Sequence, residues 1–143
     1  MPNFIDHIHQ AEHNKKVSEY LLTDNQYYDW ALVTIFYSSL HLIEALIINT
    51  FHKNTNQLRR SDQTAYNFME EFIKINYSDK IWKLYHSFQQ ASMVVRYLHH
   101  YKALSPIPSH SYYKKTHVEH FIEKKFPSFT QLLTSESNLN LII

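Results

Sequence analysis

The stretch Asp24–Phe51, which reads DNQYYDWALVTIFYSSLHLIEALIINTF, decides how this chain folds. Its apolar residues occur almost all the way round a helix, so the helix has no consistently wet side and must be enclosed by others. The polar interruptions are Ser38, Ser39, His41 and Glu44. Helical spacing places Tyr37, His41 and Glu44 on one stripe. Because buried polar groups need partners, this stripe is either a core hydrogen-bond network or a site.

The same stretch is also long enough to span a membrane. His41 and Glu44 near its middle would each cost on the order of a few kcal/mol in lipid, so the sequence favours a core helix and no membrane partner. The first twenty residues lack a continuous apolar run behind a basic start and do not resemble a secretory signal. Cysteine is absent from the chain, which fits a reducing compartment. We therefore expect a cytoplasmic protein.

Helical periodicity continues through the rest of the 143 residues, and no run alternates like a strand. We predict one domain over residues 1–143, an all-α up-and-down bundle of about five helices with two long central ones. The predicted helices cover about residues 3–22, 26–51, 62–75, 79–102 and 112–126, and Thr23, Asp24 and Asn25 form a tight break with capping side chains before the second. Ser61 or Asp62 caps the third, and Pro127 begins a last turn or short helix through Leu133. Residues 52–60 are predicted to form a loop, and residues 137–143 to dock on the bundle or reach a neighbouring subunit.

Composition excludes several kinds of site. Glycine is absent, which excludes phosphate-binding glycine loops, and the lack of cysteine excludes thiolate catalysis and cysteine zinc sites. Two histidine pairs have helical spacing, His9 with His13 and His117 with His120. Neither pair has the context of a known zinc motif, so a solvated histidine face is the favoured interpretation and we predict no metal and no cofactor.

The chain carries a basic segment although its formal net charge is only +1. No acidic residue occurs between Asp79 and Glu119, and the cations there are interleaved with Tyr97, Tyr101, Tyr112 and Tyr113. A segment of one sign attracts a polyanion, and tyrosines can stack on unpaired bases, so single-stranded RNA is the fitting ligand. The predicted RNA-binding residues are Lys83, Tyr97, Tyr101, Lys102, Lys114 and Lys115. The alternative is a solvated helix end whose tyrosines cover the core.

Several local patterns resemble the HEPN superfamily of small prokaryotic helical domains, from Phe4 to the fifth predicted helix. The matching segments are Ser18–Leu22 (SEYLL), Tyr28–Ala31 (YDWA), Phe36–Ala45 (FYSSLHLIEA), Leu84–Tyr85 and Ser92–Tyr97 (SMVVRY). The resemblance implies a homodimer packed through its long helices. In many members it also implies metal-independent RNA cleavage, by an arginine and a histidine with four to six residues between them.

Here Arg96 and His100 are separated by three residues, an interval shorter than the family motif, and they still share one helix face. RNA cleavage without metal needs a cation at the phosphate and an acid-base group, for which arginine and histidine are suited. We expect Arg96 to hold the phosphate and His100 or His99 to transfer protons. The alternative is that Arg96 pairs with Asp29 or Glu44 in a structural polar network formed by Asp29, Tyr37, His41 and Glu44.

Three functions remain open from the sequence. The first is a HEPN-like protein that acts on RNA, with metal-independent cleavage as its catalytic form. A toxin or defence system, with a cognate antitoxin or nucleotidyltransferase, is a setting that the resemblance alone implies. The second is a non-catalytic HEPN-like module that binds RNA, a nucleotide or a protein, which the short interval after Arg96 favours. The third is a structural adaptor that dimerises through the apolar second helix.

Overall fold

The computed structural model describes residues 1–97 and 112–143, which form six helices and no strand, so the predicted all-α class is confirmed. The helices are α1 (Phe4–Leu22), α2 (Ala31–Phe51), α3 (Thr55–Leu58), α4 (Ala65–Asn76), α5 (Asp79–Tyr97) and α6. Three consecutive parts make up α6: Lys115–His120, a π-helical turn at Phe121–Lys125, and Phe126–Ser137.

The helices α1 and α2 pack against each other in antiparallel orientation. The Ser38 hydroxyl on α2 donates a hydrogen bond to the Ala11 carbonyl oxygen on α1 at 2.7 Å. The start of α1 is fixed by Asn3, whose side chain accepts a hydrogen bond from the Asp6 N–H while the Asp6 carboxylate accepts one from the Asn3 N–H. This reciprocal cap satisfies two of the N–H groups that every helix start leaves unpaired.

Helix α2 is the central helix, as predicted, but it begins later than the sequence pattern indicated. Tyr28–Trp30 form a separate 3₁₀ turn, and the Asp24 carboxylate accepts hydrogen bonds from the N–H groups of Gln26 and Tyr27 at 2.7 Å each. By length and composition Tyr28–Phe51 could cross a membrane, yet 72% of its most apolar window is buried inside the bundle. That enclosure is typical of the core helix of a soluble protein.

Aromatic side chains join α5 to α2 and α6. Phe88 on α5 packs edge-on against Phe129 and contacts Phe126, both on α6, and all three rings are fully buried. Leu141 beyond α6 is also fully buried, and its N–H donates to the Thr134 hydroxyl at 3.0 Å. The C-terminal residues therefore dock on their own bundle.

The helices differ from the prediction in three further places. The predicted loop contains α3, since Asn54 and Gln57 form a reciprocal cap around a single helical turn. Helix α4 is capped by the Thr64 side chain, which accepts from the Asn67 N–H, and not by Ser61 or Asp62. Pro127 does not begin a separate turn: it lies inside α6, directly after the π-helical turn at Phe121–Lys125, and the helix continues to Ser137.

The antiparallel packing brings four chain segments to one end of the bundle. These are the end of α1, the 3₁₀ turn before α2, the last described turn of α5 and the first turn of α6. Two contacts connect them: Arg96 donates to the Tyr37 hydroxyl at 2.9 Å, and the Lys115 ammonium donates to the Asn25 amide oxygen at 3.3 Å. At the opposite end lie α3, the α4–α5 turn and the end of α6.

Candidate nucleic-acid interface

Exposed aromatic side chains collect at the end of the bundle where α1 ends and α6 begins. They are Tyr20 (75% exposed), Tyr27 (56%), Trp30 (46%), Tyr97 (63%) and Tyr112 (46%). We call these five residues the aromatic end. Exposed rings at one end of a bundle offer stacking surfaces for bases that are not paired.

Tyr97 and Tyr112 were considered for base stacking from the sequence, whereas Tyr20, Tyr27 and Trp30 were not. The three missed residues flank the break between the first two helices, which lies far from the basic segment along the chain. The sequence carries no signal for them, because strict alternation of the five predicted helices would place the end of the fourth helix, with Tyr97, at the opposite end from the connection between the first two.

Arg96 is the cation closest to this aromatic cluster. Its Nη1 donates to the Tyr37 hydroxyl at 2.9 Å, and its Nη2 donates to the Met93 sulfur at 3.7 Å. The guanidinium carbon lies 5.5 Å from the ring centroid of Tyr37 and 5.0 Å from that of Tyr97. Planar guanidinium groups stack on aromatic faces in this way and keep their in-plane N–H groups for other acceptors.

No acidic side chain neutralises Arg96 among the residues that the structure describes. None of the salt bridges within residues 1–97 and 112–143 involves it. The Glu44 carboxylate accepts hydrogen bonds from the Thr55 N–H and hydroxyl, so it is not the counterion that one alternative proposed. Asp29 is buried, with 4% of its surface exposed. Arg96 is therefore a half-buried cation held in place by neutral groups.

The Tyr37 hydroxyl, which accepts the hydrogen bond from Arg96, is neutral. Burial, together with a hydrogen bond to Tyr66, raises the pKa of Tyr37 above its ordinary value. A neutral hydroxyl can accept the hydrogen bond from Arg96 and still donate its own hydrogen. Tyr66 on α4 was not predicted as a site residue, because it lies outside the helix stripe from which the network was inferred.

The predicted polar stripe on α2 exists, but its members do not bond to one another. Tyr37 contacts Arg96 on α5, while His41 Nδ1 lies 2.9 Å from His7 Nδ1 on α1. Glu44 bonds to Thr55 on α3. Each polar residue of the stripe therefore joins α2 to a different helix.

Burial lowers the pKa of both His7 and His41, and in each case the nearby Glu44 carboxylate acts in the opposite direction. A hydrogen bond between two Nδ1 atoms requires one ring to donate and the other to accept, so at least one ring has to be neutral. Depressed pKa values favour the neutral rings. The contact is thus a structural pair between α1 and α2.

One face of α5 carries buried polar atoms without a hydrogen-bond partner among the described residues. They are Trp82 Nε1, His86 Nδ1, Gln89 Oε1, Ser92 Oγ and Arg96 Nε, at intervals of four, three, three and four residues along one side of the helix. His86 stacks on Trp82 with ring centroids 4.9 Å apart, and its Nδ1 is 3.9 Å from the Glu70 carboxylate. We call this face the polar face of α5.

The predicted RNA-binding lysines lie in two places. Lys83 forms an ion pair with Asp79 at 2.8 Å and lies more than three helical turns before Arg96, about 20 Å along the axis. Lys114 and Lys115 lie at the start of α6. The structure therefore separates Lys83 from the aromatic end and places the other two lysines there.

The remaining predicted site residues fall outside the described part of the chain. They are His99, His100, Tyr101 and Lys102. Of the proposed catalytic set, only Arg96 can be placed.

Comparisons of this chain with protein-family models, curated proteins and solved structures found no match. The likeness to HEPN domains consequently stays a prediction from the sequence patterns. The geometry around Arg96 and the aromatic end is therefore the basis for a function.

Proposed function

We propose that this chain is a HEPN-like protein that binds single-stranded RNA at its aromatic end, with Arg96 on a backbone phosphate. The observation that carries the proposal is the environment of Arg96. Its charge has no carboxylate partner among the described residues, and its orientation is fixed by Tyr37 and Tyr97. A positioned guanidinium beside exposed rings matches the two elements of single strands, phosphates and unstacked bases.

The arrangement also explains why duplexes would bind less well. Bases in an A-form helix are stacked on each other and cannot lie against protein rings. Trp30, Tyr97 and Tyr112 offer flat surfaces at distinct points of the same end, so an extended strand can contact more than one of them. Lys114 and Lys115 add positive charge, which attracts the phosphates of any RNA whatever its base sequence.

Cleavage is the catalytic form of this proposal. Arg96 would stabilise the charge that develops on the phosphate, while His99 or His100 would take the proton of the 2′-hydroxyl and return one to the departing 5′-oxygen. No metal enters this reaction. The three-residue interval between Arg96 and His100 favours binding without cleavage, and the same experiment distinguishes the two forms.

The proposal includes a homodimer in the cytoplasm. The dimer follows from the likeness of the sequence patterns to HEPN domains, whose long helices pack against each other in a pair. Light scattering of the purified protein at several concentrations measures the state directly, and a monomer at all of them contradicts this part. The toxin or defence setting and a cognate antitoxin or nucleotidyltransferase follow from the resemblance.

Filter binding and cleavage of an unstructured RNA in EDTA, over a series of salt concentrations, test the proposal. We expect Arg96→Ala to weaken binding and to reduce the salt dependence by about one phosphate contact. Arg96→Lys should recover part of the affinity, because it keeps the charge but loses the planar fork. Arg60→Ala is the matched control, since Arg60 is exposed and pairs with Asp62.

The outcomes separate the candidate functions. Salt-sensitive binding without products identifies a binding module, and products in EDTA that disappear in Arg96→Ala identify a ribonuclease. Binding that is equal in Arg96→Ala and Arg60→Ala contradicts the role of Arg96. No RNA retention by the wild type at low salt leaves the structural adaptor.

A further inference from the structure

Two histidines that are far apart in the sequence meet between α1 and α2. The Nδ1 atoms of His7 and His41 are 2.9 Å apart, and their ring centroids are separated by 5.1 Å with the planes inclined at 30°. The histidine pairs that the sequence indicated each lie on a single helix, whereas this pair joins two helices. The prediction of no metal was based on the single-helix pairs, so it does not cover this one.

The separation of the two Nδ1 atoms suits adjacent ligands of one metal ion. Histidine nitrogen binds a divalent transition metal at about 2.0–2.1 Å. Two nitrogens that are 2.9 Å apart would then subtend an angle of about 90° at the ion, as adjacent ligands do in square-planar and octahedral complexes. A tetrahedral ion such as zinc would need them about 3.3 Å apart. The pair therefore favours Cu²⁺ or Ni²⁺, which take nitrogen ligands in tetragonal geometry.

The surroundings of the pair favour a cation. Burial lowers the pKa of both rings, and the negative charge of Glu44 acts against this lowering, so the same charge would stabilise an ion between the rings. Asp6 acts on His7 in the same way. Because the Glu44 carboxylate is bonded to Thr55, it contributes charge and not a ligand. Both rings are only half-buried, so an ion can reach them from solvent.

The protein supplies two ligands to this site. Within residues 1–97 and 112–143, no group of three or more histidine or acidic side chains could hold a metal ion, so water would complete the coordination. Binding uses the lone pair of each Nδ1, and each neutral ring then carries its hydrogen on Nε2. The ion takes the place of the hydrogen between the two rings, and that hydrogen moves through water to Nε2 of its own ring.

We propose that His7 and His41 form a site for a divalent transition metal ion of tetragonal geometry, Cu²⁺ or Ni²⁺, which joins α1 to α2. The unfolded chain does not hold these two residues together, so the ion would stabilise the folded chain by mass action. The inference does not depend on the proposed function. His7 lies about four helical turns before the end of α1 at Leu22, well away from the aromatic end.

Calorimetric titration of the full chain, without a polyhistidine tag, with Ni²⁺ tests the site. We expect His7→Asn and His41→Gln each to weaken binding by about tenfold or more, because losing even a partner that orients a ligand costs about 10–100-fold. Thermal unfolding in Ni²⁺ or EDTA measures the effect on stability. Ni²⁺ should raise the unfolding midpoint of the wild type and should leave that of each variant unchanged.

The matched control is the double variant His9→Asn, His13→Asn. These two histidines are exposed and four residues apart on α1, a spacing that can itself bind an ion. We expect the control to bind Ni²⁺ as the wild type does. With one equivalent of Cu²⁺, its electron paramagnetic resonance spectrum should show two imidazole nitrogens. This spectrum tests the site without substituting the proposed ligands, so it decides the question if His7→Asn or His41→Gln does not fold.

Several results would overturn the site. They are no binding of Ni²⁺ by the wild type, equal binding by the wild type and folded His7→Asn and His41→Gln, loss of binding in the His9→Asn, His13→Asn control, and fewer than two imidazole nitrogens in the copper spectrum. RNA retention that depends on Arg96 is measured in EDTA, so it would stand or fall separately from each of these results.

Discussion

The two ends of this bundle treat their polar groups in different ways. At the end with α3 and the α4–α5 turn, polar side chains bond to near neighbours: Glu44 to Thr55, Ser78 to Glu136 and Lys83 to Asp79. At the aromatic end, Arg96 has only neutral partners in the described chain, and five large rings are exposed. One end is closed by its own hydrogen bonds, and the other keeps charge and ring surface for a ligand.

This difference separates stability from binding. Substitutions that remove a partner from a buried polar group at the closed end should change the free energy of unfolding. Substitutions at the exposed rings should change the affinity for RNA. They should leave the free energy of unfolding nearly unchanged, because those side chains bury little surface within the bundle. The substitution experiments below measure stability and RNA affinity, and the pH experiment measures stability alone.

The largest effect is expected for Glu44→Ala. The change removes the acceptor of the Thr55 N–H and hydroxyl, which are buried, so unfolding should become easier by about 1–3 kcal/mol. Chemical denaturation measures this loss. RNA affinity of the folded fraction should stay as in the wild type, and a specific loss of affinity would contradict the division between the two ends.

The next effect concerns the rings of the aromatic end. Trp30→Ala and Tyr97→Ala should each weaken binding of single-stranded RNA by about 1–3 kcal/mol, the usual range for one stacked base. Their thermal unfolding midpoints should change little. Ile75→Ala, which removes a side chain that is 80% exposed at the closed end, is the control and should affect neither measurement.

A smaller effect is expected from pH. Burial lowers the pKa of His7 and His41 below the ordinary value of 6.5, so the unfolded chain takes up protons at a higher pH than the folded one. The stability that the neutral pair supplies is complete above about pH 6.5 and is lost as the pH falls through the depressed values. Unfolding midpoints measured between pH 7.5 and 5 should decrease. A His7→Asn, His41→Gln double variant should show a weaker dependence, and an unchanged slope would contradict the assignment.

The smallest effect is expected for Lys83→Ala. This lysine is fully exposed, and its ion pair with Asp79 is screened by water, so the unfolding midpoint should not change measurably. RNA affinity should also stay constant, since Lys83 lies more than three turns from Arg96. A clear loss of affinity would extend the binding surface along α5 and contradict its restriction to one end.

The sequence predicted the class of fold because a nearly all-apolar helix can only be a core helix, and α2 is one. It also predicted that Tyr37, His41 and Glu44 are held by partners. It could not predict which partner each one has, because His7, Thr55 and Arg96 lie on three other helices and the spacing within α2 carries no information about them. The alternative predicted for Arg96 was a pairing with Asp29 or Glu44, and the structure pairs it with Tyr37. Helix starts were missed for the same kind of reason: Thr64 was a less obvious cap than Ser61 or Asp62, and a single turn such as α3 has no periodicity.

Leu141 determines how this protein should be handled in the laboratory. Its side chain is fully buried against the bundle, and its N–H is bonded to Thr134, only two residues before Ile143. An affinity tag or fluorescent fusion joined directly after Ile143 would disturb the packing of Leu141. The exposed Met1 offers an attachment point ahead of the Asn3 cap. Immobilisation for surface-based binding measurements is therefore better done through the amino terminus.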